Sequence, residues 1–372
     1  MTEQNPEPNI APATEPPAQQ KKGGWALRGI VIAVVLGVSV WYVVGNIDWD
    51  GLERALLSMH PAWVVGGVLS TLAAHLARAQ RWRTLIPGGE SISLTNSFSA
   101  TIIGYLMNNL IPRSGELVRP YTLARREKRS ASALIASILV ERVLDGLTLA
   151  FIFVLLLFFE SQRLDQVFTG YSSRGIITSL LVPIVVVVAA IIVLLKTRLG
   201  ERAGDMLERR LPARFRGKLG RILGDFRTGI GFGGATGVVR IVIWTFAIWL
   251  GYVSSTYFGM LAFGFDVTYG MNMGDALMVL AITAVGVSIA PTPGAFGVYH
   301  GFCKAAMVTL FGVPPETAVA FALVTHAAQY LAVMVVGPFF LLRENLSLRE
   351  MSRPGVDSVS SDRGTDVANL RR

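Results

Sequence analysis

The chain has one cysteine, four histidines and few charged residues for its length. Charged residues make up 16% of its 372 positions, whereas hydrophobic residues make up 52%. The single cysteine, Cys303, excludes an intramolecular disulfide. The apolar runs are continuous and do not alternate, so the sequence does not predict the strands of an outer-membrane protein.

Several chemical signatures are also missing. No set of carboxylates and histidines has the spacing of a metal site, and no glycine-rich nucleotide loop or nucleophile elbow occurs. We therefore expect no metal, no cofactor and no catalytic domain. The arginine-rich segment 197–239 suits the cytoplasmic face of a membrane, and we expect no nucleic-acid partner.

Long apolar tracts dominate what remains. Ile30–Val44, Ile176–Leu195 and Ile241–Phe263 are each long enough to cross a hydrocarbon core of about 30 Å. The predicted fold class is therefore an all-α polytopic membrane protein. The predicted parts are a disordered tail 1–24, a membrane domain 25–343 and a flexible tail 344–372. The membrane domain divides into half one, 25–160, and half two, 176–343, with the basic cytoplasmic loop 197–239 inside half two.

The distribution of Lys and Arg predicts the topology. Both termini are expected in the cytoplasm of a bacterial cell, with the chain in its inner membrane. The apolar segment Ile92–Ile111 is followed by a basic cluster that would lie outside if this segment crossed fully. A re-entrant hairpin removes the conflict. We predict six transmembrane helices and two re-entrant hairpins in an inverted repeat; the alternative is eight or nine full spans.

Two breaks in the apolar tracts resemble each other. They read Asn109-Leu-Ile-Pro-Arg-Ser-Gly-Glu and Ser288-Ile-Ala-Pro-Thr-Pro-Gly-Ala, each with a glycine three residues after a proline. Broken helices at membrane depth persist only where they are buried in protein or line a wet cavity. A matched pair, one in each half, predicts the binding site of a transporter.

The residues after each break suggest what is bound. Ser114 and Thr292 are good N-cap residues, and the free N–H groups of a helix start attract phosphate. Arg113 adds a positive charge beside the first break, and Asn109 adds a neutral donor. A lipid phosphate is the natural ligand. The alternative is that Gly115, Gly294 and Gly297 only pack the two turns.

Charged residues within an apolar tract mark a second group. Glu141, Arg142 and Asp145 each cost about 2.5–3.5 kcal/mol to insert when unpaired. Arg142 and Asp145 are three residues apart and are predicted to pair. Glu141 and Asp145 repel unless a cation, such as Arg113 or Arg119, lies between them. The group either lines a path for a headgroup or forms a structural ion-pair network, and the same choice applies to Glu116.

Histidines are the notable polar residues of half two. His300 and His326 lie in apolar tracts, together with Lys304 and Gln329. Histidine changes protonation near neutral pH, which would suit a proton-coupled step at His300. The alternative, which we favour for His326, is a hydrogen-bonded packing role.

These motifs resemble a known family. The run from Asn109 to Tyr121, the run Ser137–Asp145 and the run Pro291–Tyr299 look like the lysylphosphatidylglycerol synthase transmembrane family, whose members are also described as flippase-like. The similarity covers roughly Gly24 to Leu342. In bifunctional relatives the membrane unit moves an aminoacylated phospholipid between leaflets. The resemblance implies a stand-alone lipid translocase without an aminoacyltransferase domain.

The resemblance also transfers to particular positions. Ala295 and His300 stand where the family often has a second glycine and a glutamate, so no carboxylate partner for a cationic headgroup is carried over here. The matching residues are Pro112, Gly115, Glu116, Arg119, Glu141, Arg142, Asp145, Pro291, Pro293, Gly294 and Gly297.

The function predicted from sequence is translocation of a phospholipid or another lipid-linked anionic substrate. The expected partners are membrane lipids with an anionic headgroup or lipid phosphate. Two alternatives stay open: a membrane-embedded enzyme acting on lipid phosphates, and a non-transporting subunit that anchors a lipid-synthesising enzyme. The predicted substrate-binding residues are Asn109, Arg113, Ser114, Gly115, Glu116, Arg119, Glu141, Arg142, Asp145, Thr292, Gly294, Gly297 and His300.

Overall fold

A computed structural model describes residues 34, 37–43, 45, 47–159, 235–290 and 292–344. Within these ranges the regular structure is helical, and no strand occurs there. This agrees with the predicted fold class. Several predictions fall outside the described residues: the tail 1–24, the span Ile176–Leu195, the basic loop up to residue 234, Pro291, and the tail from residue 345.

Ten α-helices are labelled in chain order, after a helical stretch at residues 37–43. Two 3₁₀ turns, Gly89–Ser91 and Pro293–Ala295, interrupt the series. The helices are α1 (Trp49–Ser58), α2 (Pro61–Leu85), α3 (Leu94–Leu110), α4 (Gly115–Glu127), α5 (Ala131–Phe159), α6 (Ala235–Ala262), α7 (Phe265–Thr268), α8 (Met273–Ile289), α9 (Val298–Phe311) and α10 (Pro315–Arg343).

The two halves repeat one order of helix lengths. In half one, α2, α3, α4 and α5 contain 25, 17, 13 and 29 residues. In half two, α6, α8, α9 and α10 contain 28, 17, 14 and 29 residues. Apart from the four-residue α7, each half thus contains a long helix, two short helices and a second long helix. The six spans and two re-entrant hairpins stay a prediction.

The first long helices of the two halves pack against each other in opposite directions. Near one end of the pair the Trp63 and Phe258 rings stack, with centroids 5.7 Å apart. Near the other end Arg81 Nη1 donates to Thr245 Oγ1 at 3.2 Å. Because the residue numbers rise along α2 while those of its neighbours fall along α6, these two helices are antiparallel. This pairing is compatible with the predicted inverted repeat, which stays a prediction.

The short helices α3 and α4 form a hairpin. Glu127, at the end of α4, accepts hydrogen bonds from the Ser93 backbone N–H at 3.2 Å and from Asn96 Nδ2 at 2.7 Å. Further along, Gly104 and Gly115 approach so closely that a Cβ on Gly115 would overlap the carbonyl of Gly104. The end of α4 therefore returns to the beginning of α3.

The helices α8 and α9 pack together in the same way. A Cβ on Gly286 would overlap the Phe302 ring, so the two helices are in close contact beside their break. The beginning of α8 is stabilised by a capping box between Asn272 and Asp275. The 3₁₀ turn between α8 and α9 contacts α3 of the other hairpin.

Helix length separates candidate spans from the short hairpin helices. The segments Pro61–Leu85, Thr236–Ala262 and Pro315–Arg343 are long and apolar enough to cross a membrane. The 17-residue α3 and α8 reach only about 25 Å at 1.5 Å per residue, less than the roughly 30 Å core. The described part of the chain is thus a multi-pass membrane protein.

Two segments differ from what the sequence pattern indicates. The segment from Ile47 to His60 has the composition of an external loop, with three carboxylates against one arginine, but it contains α1, which starts at an Asp48 cap and buries Leu52 against half two. Burial of one apolar face stabilises this short helix. The charged residues around that face obscured the apolar pattern in the sequence. The predicted loop 197–239 ends early, because α6 begins at Ala235.

Candidate functional site

Arginines from α2, α4 and α5 meet two carboxylates of α5 inside half one. Glu141 Oε1 accepts hydrogen bonds from Arg78 Nη1 at 2.8 Å, from Arg119 Nη1 at 2.8 Å and from Arg142 Nη2 at 3.1 Å. One carboxylate oxygen thus collects three guanidinium groups from three helices.

Asp145 extends this network by one turn of α5. Its Oδ2 accepts from Arg78 Nη1 at 2.6 Å, and its Oδ1 accepts from Arg81 Nη2 at 2.5 Å. The Arg142 Nη2 atom lies 3.7 Å from Asp145 Oδ2, which confirms the pair predicted from their spacing. Arg78 bridges both carboxylates and removes the repulsion between them. We call these six side chains the arginine cluster: Arg78, Arg81, Arg119, Glu141, Arg142 and Asp145.

The cluster is buried and carries more positive than negative charge. The Arg81 and Glu141 side chains are 0% exposed, and the Arg119 side chain is 6% exposed. Arg142 is the open member at 43% exposure. Four guanidinium groups face two carboxylates, and no other carboxylate of the described residues forms an ion pair with these arginines.

Several buried polar atoms of the cluster have no hydrogen-bond partner among the described residues. They are the Nε atoms of Arg78, Arg81 and Arg119, the Nη2 atom of Arg119, and the Oε2 atom of Glu141. Buried polar groups are normally hydrogen-bonded, and exceptions occur at functional sites. The cluster thus has free donors as well as excess positive charge, which is the chemistry of an anion site.

Neighbouring side chains hold the arginines in place. The Arg119 guanidinium lies over the Trp82 ring, 4.0 Å from its centroid, and Trp82 Nε1 donates to Ser137 Oγ at 2.8 Å. Cation–π contacts of this kind orient a guanidinium without consuming its N–H donors. The N–H groups on Arg119 Nε and Nη2 therefore stay available to bind another partner.

A polar layer continues from the cluster along the α2–α6 interface. The His75 ring lies 4.3 Å from the Tyr105 ring, and Tyr252 Oη is 3.4 Å from both His75 Nδ1 and Tyr105 Oη. The Arg78 guanidinium lies 6.0 Å from the centre of the Tyr252 ring. The buried charges therefore face hydrogen-bonding groups as well as apolar side chains.

Sequence reasoning found part of this site and missed part of it. Arg119 was expected as a cation beside Glu141, and it is one. Arg78 and Arg81 were not among the predicted binding residues, although they complete the cluster. Their signal is the spacing: His75, Arg78 and Arg81 follow one another at intervals of three residues on an apolar helix, and so share a face.

The first break does not have the predicted capping. The Ser114 hydroxyl donates to the carbonyls of Met107 at 2.9 Å and Ile111 at 2.8 Å, and Ser114 makes no side-chain cap. Asn108 Oδ1 instead accepts the Gly115 N–H at 2.7 Å. The tight turn brings Asn108 close enough to accept this hydrogen bond, so one N–H group at the beginning of α4 already has a partner.

The other predicted residues of this break stay apart from the arginine cluster. Arg113 is exposed in the turn, with a left-handed φ of 62°. Asn109 and Glu116 are half-buried at the facing ends of α3 and α4. Within the described ranges, no hydrogen bond or ion pair joins any of these three to the cluster.

The second break is tied to α10. The Thr292 hydroxyl donates to the Phe296 carbonyl at 2.8 Å, so it does not cap a helix start as predicted. Gly294 and Gly297 have φ values of 57° and 76°, a region that suits glycine. The Gly294 carbonyl accepts a hydrogen bond from His326 Nε2 at 2.8 Å.

His300 and His326 form the polar centre of half two. Since His326 donates through Nε2, its Nδ1 can accept from His300 Nε2, which lies 3.4 Å away. The Phe296, Tyr299 and Tyr330 rings surround His326, with centroids 5.1, 4.8 and 6.2 Å from its own. We call these five side chains the histidine cluster. The His326 contact agrees with a hydrogen-bonded packing role, and no described Arg, Lys, Asp or Glu side chain hydrogen-bonds to the histidine pair.

Comparison with known proteins places the chain in a family. The family model described as "Lysylphosphatidylglycerol synthase TM region" matches residues 27–337. This range covers most of the chain and includes both clusters and both breaks. No solved structure matches the chain.

Two relatives match along most of the chain. A UPF0104 membrane protein of Methanothermobacter thermautotrophicus is 24% identical over 84% of this chain and 94% of its own length. "Glycosyltransferase AglD" of Haloferax volcanii is 27% identical over 81% of this chain. The match spans only 52% of AglD, and a UPF0104 membrane protein of Methanocaldococcus jannaschii matches over 36% of its length, so the chain covers about half or less of these two relatives.

Proposed function

Because this chain belongs to the family of the lysylphosphatidylglycerol synthase transmembrane region, we propose that it moves a lipid with an anionic headgroup between membrane leaflets. The arginine cluster would hold the headgroup. The acyl or prenyl chain would stay in the bilayer beside the helices. The proposal keeps the class of function predicted from the sequence. Of the predicted binding residues, it retains Arg119, Glu141, Arg142 and Asp145 and leaves out those of the two turns.

One observation carries the proposal: the guanidinium groups of the cluster outnumber its carboxylates by two, and four of its buried donor atoms have no partner in the part of the chain that the structure describes. A buried excess charge in apolar surroundings is costly unless a counter-ion offsets it. A bound anionic headgroup would supply that counter-ion. A purely structural network would be expected to balance its own charges.

The arrangement of the helices supports a transport mechanism. Glu141 lies ten residues after the beginning of α5, about 15 Å into the helix. Half-exposed Arg142 connects the cluster to the outer surface of the described helices, which would give a headgroup a way in. Antiparallel repeats that rock against each other expose one site to either side of a membrane in turn.

Transport can be tested in proteoliposomes that contain the purified full chain. Fluorescently labelled phosphatidic acid and phosphatidylglycerol are placed in both leaflets, and a membrane-impermeant quencher reports the label that reaches the outer leaflet. We expect wild type to raise the quenched fraction above that of protein-free vesicles. Arg119→Gln should abolish the increase, because it removes a free guanidinium from the cluster.

Two further variants locate the effect. Arg54→Gln changes an exposed arginine of α1 whose side chain is 77% exposed, and it should transport like wild type. Arg113→Gln removes the charge in the first break and should have a much smaller effect than Arg119→Gln. Equal loss in Arg113→Gln and Arg119→Gln would return the site to the hairpin turn, and no transport by wild type would reject the proposal.

AglD favours a second candidate, a role in sugar transfer to a lipid carrier. The name of that relative is the observation in its support, at 27% identity. As an enzyme, the chain would need Arg113, Glu116, Glu141 and His300 to converge. Glu141 lies in the arginine cluster and His300 in the histidine cluster, so an accessory subunit fits better than an enzyme. Sugar transfer by the purified chain in detergent, or co-purification of a transferase without lipid dependence, would favour this candidate.

A further inference from the structure

The charge balance of the arginine cluster limits the chemistry of its ligand. Four guanidinium groups and two carboxylates leave an excess of two positive charges. A phosphodiester headgroup carries one negative charge, whereas a phosphomonoester carries about −1.5 to −2 at pH 7. Resting on the proposed function, we infer that the ligand is a lipid with a terminal phosphate, either a phosphomonoester or a diphosphate.

The free donors of Arg119 have the geometry that such a group needs. Its Nη1 atom donates to Glu141, while Nε and Nη2 have no hydrogen-bond partner among the described residues. The N–H groups on Nε and Nη2 point the same way and form one bidentate face of the guanidinium, which matches two oxygens of a phosphate. A terminal phosphate offers three free oxygens, whereas a phosphodiester offers two.

The remaining free atoms fit the same ligand. Arg78 Nε and Arg81 Nε supply two further buried donors. Glu141 Oε2 is the one acceptor of the cluster that lacks a partner in the described part of the chain, and it could take the P–OH hydrogen of a singly protonated phosphate. An ammonium headgroup would instead bring three donors and add a charge of the sign already in excess. An aminoacylated phospholipid, which the family resemblance implies, therefore fits this cluster less well.

The inference is tested by binding of defined lipids to the full chain in detergent, read by native mass spectrometry. Phosphatidic acid and phosphatidylglycerol with the same acyl chains differ in one group: phosphatidylglycerol carries a second glycerol on its phosphate, which makes that phosphate a diester. We expect phosphatidic acid to bind wild type at least tenfold more tightly, about 1.4 kcal/mol. A polyprenyl monophosphate is the third probe, and its affinity relative to phosphatidic acid tells which lipid body the chain prefers.

Arg119→Lys removes the bidentate face but keeps the charge, and it should reduce the preference for phosphatidic acid to about twofold or less. Arg54→Lys, at the exposed surface, should keep the wild-type preference. Equal binding of the two diacyl lipids by wild type would overturn the inference, and so would an unchanged preference in a folded Arg119→Lys. If that variant does not fold, the comparison of lipids on wild type decides.

The outcomes also separate this inference from the proposed function. Transport of phosphatidylglycerol without a preference for terminal phosphate would contradict the inference and leave the translocase standing. Absence of both binding and transport for every lipid would contradict both. Transport limited to phosphatidic acid or polyprenyl phosphate would support both.

Discussion

Glu141 and Thr325 are each the eleventh residue of a 29-residue helix, α5 in half one and α10 in half two. Glu141 pairs with three guanidinium groups and belongs to the arginine cluster, in which four guanidinium groups face two carboxylates. Thr325 instead donates to the Phe321 carbonyl at 2.7 Å, lies 3.1 Å from Tyr299 Oη, and is followed by the histidine cluster. Two corresponding positions in helices of the same length thus hold charged side chains in one case and neutral side chains in the other.

The difference shows how two series of helices with similar lengths can carry different chemistry. Helix lengths and hairpins are matched because they depend on apolar length, prolines and glycines, which both halves share. The side chains at equivalent depth are free to differ. If the proposed function holds, we expect an anionic headgroup to bind more strongly in half one than in half two.

The largest effect on stability is expected where the charged cluster loses its central acceptor. Glu141→Gln would leave three arginines without a shared carboxylate, and breaking a buried pair costs about 3–5 kcal/mol. Thr325→Val at the equivalent position removes a neutral hydrogen bond and should cost about 1 kcal/mol. The free energy of unfolding in detergent, measured by chemical denaturation, compares the two. Similar costs would show that the two halves do not differ in the way described.

The two hairpins should respond differently to an added methyl group. Gly115→Ala would place Cβ against the backbone carbonyl of Gly104, and overpacking of this kind costs about 1–3 kcal/mol. Gly286→Ala would meet the Phe302 ring, a side chain that is 38% exposed and can rotate. We expect a smaller loss for Gly286→Ala in the same unfolding measurement. A greater loss there would mean that the second hairpin is the more tightly packed one.

A smaller effect is expected at the hydrogen bond that ties α10 to the second break. His326→Phe keeps an aromatic ring at this position but removes the N–H donor to the Gly294 carbonyl. The free energy of unfolding should therefore fall by about 1 kcal/mol. Transport of an anionic lipid should persist, because no charge is lost. Loss of transport in a fully folded His326→Phe would instead assign the histidine cluster a direct role, as a proton-coupled step would require.

The smallest effect is expected at Arg113. Its side chain is exposed in the turn between α3 and α4, and a surface substitution usually changes stability by less than about 0.5 kcal/mol. Arg113→Ala should therefore match wild type in unfolding, while Arg119→Ala in the buried cluster should not. Comparison of these two variants distinguishes an arginine that only lies near the break from one that belongs to the buried cluster.

The parts of the fold that depend on local pattern were predictable from sequence. The helix α3, Leu94–Leu110, begins and ends close to the apolar segment Ile92–Ile111, because Pro112 interrupts the tract there. Charges within an apolar tract revealed Glu141 and Asp145. Their main partners were missed: Arg78 and Arg81 lie near the end of α2, where the positive-inside rule already explains them.

The capping of both breaks could not be predicted from residue type. Ser114 and Asn108 are both able to bond to the beginning of α4, and only the tightness of the turn decides that Asn108 does so. The His326 contact with Gly294 joins residues 32 positions apart, so local pattern carries no trace of it. Contacts between helices from different parts of the chain required the packed structure.

The most direct test of the central claim is photo-crosslinking of a phosphate lipid to the full chain in its membrane. A phosphatidic acid with a photoactivatable group next to the phosphate is irradiated in proteoliposomes, and cross-linked peptides are identified by mass spectrometry. We expect cross-links on α2, α4 and α5 near Arg78, Arg119 and Glu141, and we expect Arg119→Gln to lose these cross-links. Cross-links centred on α9 and α10 near His300 and His326 would contradict the central claim.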